Sequence, residues 1–269
     1  MQPSYQSGFY APGRGVAKHP ELWRGCVGAW NPGLGNTGLS LRDWSGSQNN
    51  GTLTNGPTWG VSDGRQALDF DGVNDSVNCG GGIPTSSITA MTQSVWVRND
   101  VAATNKAIVG WYDGNGIFIQ SRIDASDGFL VVAGGSSSWG QTLHTTEGLW
   151  LHAALVYDGT LTGDSNRLKL YVNGVQKSLG FQGAIPSAIS LGGNLKIGDV
   201  GSLGRYWNGL ITDIRIYNRA LSQQEVRTLA TRPGIAYELA QRKTYFIQAA
   251  TSTSQFYDVL SPLIFAGTN

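Results

Sequence analysis

Short segments of apolar or alternating side chains follow one another along most of this sequence, and turn residues separate them. Between Thr92 and Arg98, polar or large side chains alternate with Val95 and Val97, as they do in a strand that buries one face. Asn173-Gly174 favours a tight hairpin, as does the Asp-Gly-Asn-Gly run at 113–116. The pattern predicts strands at residues 25–30, 66–70, 76–79, 92–98, 107–111, 116–122, 129–133, 149–158, 167–172, 175–178, 194–197 and 209–217.

One helix signal is strong. Ser222 and Glu225 have the spacing of a capping box, in which each side chain satisfies a backbone donor of the other residue. Val226 and Leu229 supply an apolar face, and Arg-Pro-Gly at 232–234 ends the helix. We therefore expect two to three helical turns that depend on packing against strands.

About a dozen strands and one short helix predict an all-β fold, a two-sheet antiparallel β-sandwich with extended terminal arms. The predicted organisation is an N-terminal arm at 1–22, one sandwich domain at 23–232 and a C-terminal arm at 233–269. Residues 34–58 are rich in Gly, Asn and Ser and are interpreted as loops.

The C-terminal arm is too apolar for a solvated tail. We expect it to pack either on a neighbouring chain or on its own sandwich. The aromatic side chains predicted to make an assembly contact are Tyr245, Phe246, Phe256, Tyr257 and Phe265.

Composition narrows the possible partners. Charged residues make up 14% of the chain and the net charge is +1. Because no basic block is present, nucleic-acid binding is not supported, and no run of about 18 apolar residues predicts a membrane span.

The N-terminus lacks an apolar signal segment, which suggests either a signal removed before Met1 or a route other than secretion. Cys26 and Cys79 are interpreted as buried or free thiols, with a disulfide as the alternative.

Eight sequence blocks carry a family resemblance, in the order that the family shows them. They are GCVGAWNPG at 25–33, LRDWSGSQNNGTLTNGPTW at 41–59, QALDFDGVNDSVNCG at 66–80, QSVWVR at 93–98, LWLHAALVYDG at 149–159, LKLYVNGV at 168–175, LKIGD at 195–199 and WNGLITDIRIYNRALSQQEV at 207–226. Together they resemble the laminin G-like jelly roll, a branch of the concanavalin A-like lectin/glucanase superfamily. The resemblance covers about three quarters of the chain, and it implies a jelly-roll sandwich.

Glycoside hydrolysis is disfavoured, although similar folds include glycosidases. Those enzymes need two carboxyl groups that face each other across the scissile bond. No glutamate here is two residues from an aspartate on a predicted strand, and no histidine belongs to a nucleophile triad. His152 lies in an apolar strand and is interpreted as a core residue. We therefore expect a protein that is not an enzyme. The four glutamates are Glu21, Glu147, Glu225 and Glu238.

The resemblance implies a calcium site at the rim of the sandwich. Ca²⁺ takes six to eight oxygen ligands, and four side chains match family positions that could converge: Asp71, Asn74, Asp75 and Asp213. The alternative is that Asp71 caps a turn and Asp213 orients a loop.

Sugar binding would use a loop aromatic as a stacking face. The candidates lie next to glycine-rich loops and are Trp111, Tyr112, Trp139 and Tyr206. The alternative is that these rings cover the edges of the core.

Three functions remain open at this stage. The first hypothesis is a structural or adhesion protein on the surface of a virus or phage particle, located in the virion and joined through its arms to virion proteins or other copies of itself. The second is a secreted or cell-surface carbohydrate-binding module of a bacterium. The third is a hydrolase.

Overall fold

A computed structural model of the chain contains nineteen strands and two short α-helices within the residues that it describes. The described residues are 10–11, 15–35, 38–83, 86–100, 105–123, 127–135, 138–143, 148–201 and 204–240. The strands are β1 Tyr10–Ala11, β2 Gly15–Val16, β3 Cys26–Trp30, β4 Ser40–Leu41, β5 Gly51–Thr54, β6 Thr58–Ser62, β7 Arg65–Asp71, β8 Ser76–Asn78, β9 Ala90–Asn99, β10 Ala107–Asp113, β11 Asn115–Ile123, β12 Asp127–Gly135, β13 Trp139–Leu143, β14 Trp150–Asp158, β15 Leu168–Val172, β16 Val175–Lys177, β17 Gly180–Gln182, β18 Lys196–Ile197 and β19 Asn208–Tyr217. The α-helices are α1 Asp164–Arg167 and α2 Gln223–Leu229, and two 3-10 helices span Pro20–Trp23 and Ile235–Tyr237.

Two antiparallel sheets face each other. The nine-stranded sheet has the order β17-β13-β12-β11-β10-β18-β8-β5-β4. The eight-stranded sheet has the order β16-β15-β14-β9-β19-β7-β6, and β3 also pairs with β19. The predicted all-β sandwich of two antiparallel sheets is confirmed. Strands β1 and β2 form a separate two-stranded ribbon.

Alternation along each strand divides its side chains between two layers. On β9, Val95 and Val97 are buried between the sheets. Trp96 points the other way, and its Nε1 donates a hydrogen bond to the carbonyl of Leu229 on α2 at 3.2 Å. The hairpin between β15 and β16 is also confirmed, because Asn173 and Gly174 both take the positive φ that this tight turn requires.

Seven strands were not predicted: β1 and β2 in the predicted N-terminal arm, and five in the sandwich. Strands β4, β5 and β6 lie in or at the end of the segment interpreted as loops, and β13 and β17 were also missed. All five of these sandwich strands have between two and five residues, and each carries at most two large apolar side chains. Their pairing depends on the neighbouring strand more than on their own sequence.

A third layer covers the outer side of the eight-stranded sheet. Its buried side chains come from α2 and from both 3-10 helices, and they include Leu22, Trp23, Val226 and Leu229. The backbones of Ala17 and Leu239 form an antiparallel bridge. The predicted domain boundaries at 22/23 and 232/233 therefore fall inside this packed layer.

The cap of α2 has the predicted geometry. The Glu225 backbone N–H donates to Ser222 Oγ at 3.3 Å, and the Ser222 N–H donates to the Glu225 carboxylate at 2.8 Å. Burial raises the pKa of Glu225, but hydrogen bonds from Arg219 and Ser222 outweigh it and lower this pKa to about 2. The predicted helix is confirmed.

The predicted assembly residues Tyr245, Phe246, Phe256, Tyr257 and Phe265 lie outside the described residues. None of the helices in the described ranges is long and apolar enough to cross a membrane.

Candidate functional site

The outer face of the nine-stranded sheet carries the predicted aromatic candidates. Phe118 and Val132 point away from the main core and form a small cluster there, against which Tyr112 and Trp139 pack half-buried. The Tyr112 ring meets Phe118 edge-on, with centroids 5.7 Å apart. We call this surface the outer face. The opposite outer side of the molecule is covered by the third layer.

Trp139 lies in a row of paired residues that crosses this face. It pairs with Val132 on one side and with Gln182 on the other. Gln141 follows two residues later on β13 and therefore points to the same side. Its Oε1 is buried and meets no donor among the described residues. An indole and two amides thus lie side by side.

The segment after β18 folds against this face. Arg205 Nη1 donates to Gln120 Oε1 at 2.6 Å, and the Arg205 carbonyl accepts from the N–H of Ala107 at 2.7 Å. Tyr206 follows Arg205 and is half-buried. The side chain of Arg205 meets no carboxylate in the ranges that the structure covers.

Trp111 is not a ligand residue. It is fully buried between the two sheets, because successive side chains of a strand point to opposite faces and Tyr112 takes the outer one. The interpretation that such rings cover the core is correct for Trp111. The structure therefore places Tyr112 and Trp139 on the same face, against one small cluster but three strand spacings apart, and removes Trp111 from the predicted set.

Gln120, Gln141 and Gln182 were missed by the sequence analysis. Gln141 could have been found, since it lies two positions after Trp139 and so shares its face if the segment is a strand. Gln120 and Gln182 could not, because they reach this face only through the pairing of distant strands.

Three of the four predicted calcium ligands lie in one turn. Asp71 Oδ1 accepts two backbone N–H groups of that turn, at 2.8 and 3.4 Å, the second from Asn74. Asp75 Oδ2 accepts the N–H of Asp71 at 3.0 Å, and burial raises the pKa of Asp75. Lys106 Nζ also donates to the carbonyl of Gly72 at 3.2 Å. Asp71 therefore caps this turn.

Asp213 does not join that turn. Asn208 pairs with Asp71, so Asp213 lies five residues further along β19, about 16 Å away. Its Oδ1 accepts from Arg215 Nε at 3.2 Å and its Oδ2 from the N–H of Gly234 at 2.7 Å. The predicted four-residue set is not formed. Within the described ranges, no three His, Cys, Asp or Glu side chains could hold a metal ion.

The other reactive side chains are enclosed. His152 is fully buried, its Nε2 lies 2.8 Å from Ser94 Oγ, and burial lowers its pKa to about 3. Cys26 and Cys79 are both buried free thiols, and burial raises the pKa of Cys26 to about 11. These groups belong to the core, as the sequence analysis interpreted them.

Residues 47–227 match the family model of the concanavalin A-like lectin/glucanases superfamily. The chain belongs to this superfamily. The resemblance inferred from the eight sequence blocks is therefore confirmed for the concanavalin A-like jelly roll. No curated protein matches the chain.

Solved structures of similar fold come from several kinds of protein. Domain 4 of AbnA, a GH43 extracellular arabinanase from Geobacillus stearothermophilus, solved with arabinotriose, has a TM-score of 0.58 at 22% identity and covers 77% of this chain and 98% of that one. The binding domain of Paraclostridial Mosquitocidal Protein 1 has a TM-score of 0.57 at 17% identity, and the match covers 78% of this chain and 52% of that one. Trypanosoma rangeli sialidase in complex with sialic acid has a TM-score of 0.56 at 17% identity, and the match covers 77% of this chain and 33% of the sialidase. This superfamily member thus spans about half the length of the mosquitocidal binding domain and about a third of the sialidase. At these identities the likeness shows the fold alone.

Proposed function

We propose that this chain is a non-catalytic carbohydrate-binding domain whose ligand lies on the outer face, around Trp139. The observation that carries the proposal is the row in which Trp139 stands beside Gln182 and two residues from Gln141. The third layer covers the other outer side of the sandwich, so this face is the large sheet surface left to a ligand.

The side chains of this row match the two kinds of surface on a sugar ring. The C–H face of a pyranose or furanose stacks on an indole, which buries apolar area. The hydroxyl groups need partners that both donate and accept, and an amide side chain does both. Gln141 is suited to this role, because its Oε1 has no donor within the described part of the chain.

Two similar structures support a ligand of this class. The arabinanase domain 4 was solved with arabinotriose, and the sialidase with sialic acid. The toxin domain is named a binding domain. A carbohydrate-binding module agrees with this neighbourhood and with the second of the three functions inferred from the sequence.

Two carboxylates, Asp199 beside the outer face and Glu225 on the opposite side in the third layer, are both held by other contacts. Asp199 is buried and its Oδ2 accepts from Lys196 Nζ at 3.0 Å. Glu225 is held in the helix cap by Arg219. A glycosidase needs a carboxyl group free to donate a proton and a second one across the bond, and neither of these two is free for that role.

The experiment is a glycan array followed by calorimetric titration of any glycan that binds. Trp139→Ala should weaken binding at least about tenfold, because it removes the stacking face. Trp44→Ala is the matched control, since Trp44 is a half-buried indole that packs against the third layer and should leave binding unchanged. Gln141→Leu tests the amide separately. An array without any bound glycan, or equal affinity of the Trp139→Ala variant and the wild type, would refute the proposal.

The virion location and calcium binding stay predictions. The virion hypothesis depends on arm residues outside the described ranges, and mass spectrometry of purified particles tests it. The calcium prediction retains Asp71, Asn74 and Asp75, and titration with Ca²⁺ before and after chelation tests it.

A further inference from the structure

A cavity of about 310 Å³ lies at the edge of the sandwich where the chain changes sheets. Strand β16 is the last strand of the eight-stranded sheet and β17 is the last strand of the nine-stranded sheet. Only Ser178 and Leu179 connect them. Because facing sheets are about 10 Å apart, this crossover spans the gap and leaves a hollow beside it. The volume lies at the lower end of the range typical of ligand pockets.

The floor of the cavity is apolar. Leu168, Leu179 and Phe181 line it, and the last two are half-buried against the main core. Gly140 makes room for them, since a Cβ atom there would lie 2.9 Å from Leu179 Cδ1 and 3.0 Å from Phe181 Cε1. The phenyl ring is thus held in place at an open edge.

The rim of the cavity is polar and positively charged. Lys177 and Gln176 line it together with two serine residues. Tyr171 Oη donates to Gln176 Oε1 at 3.2 Å, so the Gln176 amide lies with Tyr171 on the third-layer side of the sheet, whereas Lys177 pairs with the core residue Leu170 and points to the other side. Lys177 forms no ion pair within the described ranges. The cavity therefore combines an aromatic face, neutral hydrogen-bonding groups and one uncompensated ammonium.

We propose that this cavity binds a saccharide unit that carries a carboxylate, that is, a uronic acid residue. The ring stacks on Phe181, its hydroxyl groups meet the serine hydroxyls, and its carboxylate pairs with Lys177. A purely apolar ligand would leave the ammonium without a partner, which is costly. A small inorganic anion would leave the phenyl ring and the two leucines uncovered.

This second site is separate from the outer face, although it lies on the same strand. Phe181 lines the cavity, whereas Gln182 pairs with Trp139 and, as the next residue of β17, points to the opposite side. Variants at one site therefore leave the other intact, and the two proposals can fail independently.

The test is titration of the whole chain with trigalacturonate, followed by ¹⁵N-resolved NMR and calorimetry, with neutral galactotriose as the comparison. We expect shifts at the amides of residues 176–182 with the acidic ligand. Lys177→Gln should weaken its binding about fivefold or more by removing a charge-assisted hydrogen bond. Phe181→Leu should also weaken it. Lys169→Gln makes the same charge change on β15 outside the cavity and should bind as the wild type does.

The proposal is overturned if trigalacturonate shifts none of the amides of residues 176–182. It is also overturned if the Lys177→Gln and Lys169→Gln variants bind trigalacturonate with equal affinity. Galactotriose that binds at the cavity as tightly as trigalacturonate overturns the acidic specificity. Trp139→Ala should leave the cavity titration unchanged; if it alone abolishes the acidic ligand's binding, the ligand lies on the outer face instead.

Discussion

Burial of His152 should make the stability of the sandwich depend on pH between 5 and 8. Its pKa falls from 6.5 to about 3 on folding, and burial is the cause. Between these values the unfolded chain holds a proton that the folded chain does not. Stability is therefore fully present above pH 6.5 and is lost as the pH falls. Each pH unit below 6.5 costs about 1.4 kcal/mol, so the free energy of unfolding should be about 2 kcal/mol lower at pH 5 than at pH 8.

The perturbation is to replace the buried pair, His152→Leu together with Ser94→Ala. His152 Nε2 and Ser94 Oγ lie 2.8 Å apart, and the imidazole lies beside the Trp96 ring. Because Ser94 is replaced as well, no hydroxyl is left without its partner. The Glu225 contribution is lost only below its unfolded pKa of 4.5, outside the window, and it is common to both proteins.

The assay is urea unfolding at pH 5.0, 6.5 and 8.0. The wild type should lose about 2 kcal/mol more than the double variant between pH 8.0 and 5.0, and the denaturant slope should stay constant. An equal loss in both proteins, or no loss in the wild type, would show that His152 is not held neutral by burial.

Three further substitutions test the framework. Ser222→Ala should lower the free energy of unfolding by about 1 kcal/mol through loss of the helix cap, and an unchanged thermal midpoint would contradict this. Asp43 accepts four hydrogen bonds, so Asp43→Ala should lower the free energy of urea unfolding by about 3 kcal/mol. The control Asp63→Asn, at an exposed position whose positive φ asparagine tolerates, should lower it by under about 0.5 kcal/mol. Arg215→Met leaves the Asp213 carboxylate buried without its ion-pair partner. It should therefore lower the free energy of unfolding by about 3 kcal/mol. Adding Asp213→Asn should recover part of that loss, and strict additivity in the double-mutant cycle would count against the pairing.

The strands of the sandwich were largely predictable because burial imposes a period of two on them. Strands β9 and β14 have long alternating or apolar sequences, and the Asn-Gly hairpin requires a conformation that few other residues adopt. Strand β5 shows why others were missed. Gly51 and Leu53 face the core while the two threonines are exposed, but four residues between glycine-rich turns give too little alternation to identify a strand.

The candidate site was predictable only in part. Tyr112 and Trp139 were named as loop aromatics that could bind sugar; the structure places both on strands of the outer face, and their role stays a prediction. Trp111 was grouped with Tyr112 although strand geometry separates them. Asp213 was placed in the calcium set by resemblance alone. Its real partners, Arg215 and Gly234, depend on a layer that forms only when distant segments pack together.

The bridge between Ala17 and Leu239 has a practical consequence for protein engineering. Lys18 strengthens it, since its N–H donates to the Glu238 carbonyl at 2.7 Å and its ammonium meets the Glu238 carboxylate at 3.0 Å. The two ends of the folded domain, near Ala17 and Leu239, are therefore adjacent, and they lie on the third-layer side, opposite the face that carries Trp139. A host protein could carry it as an insert in a single surface loop, and a permuted version with this junction closed and new ends opened at the Asp63-Gly64 turn should retain the jelly roll.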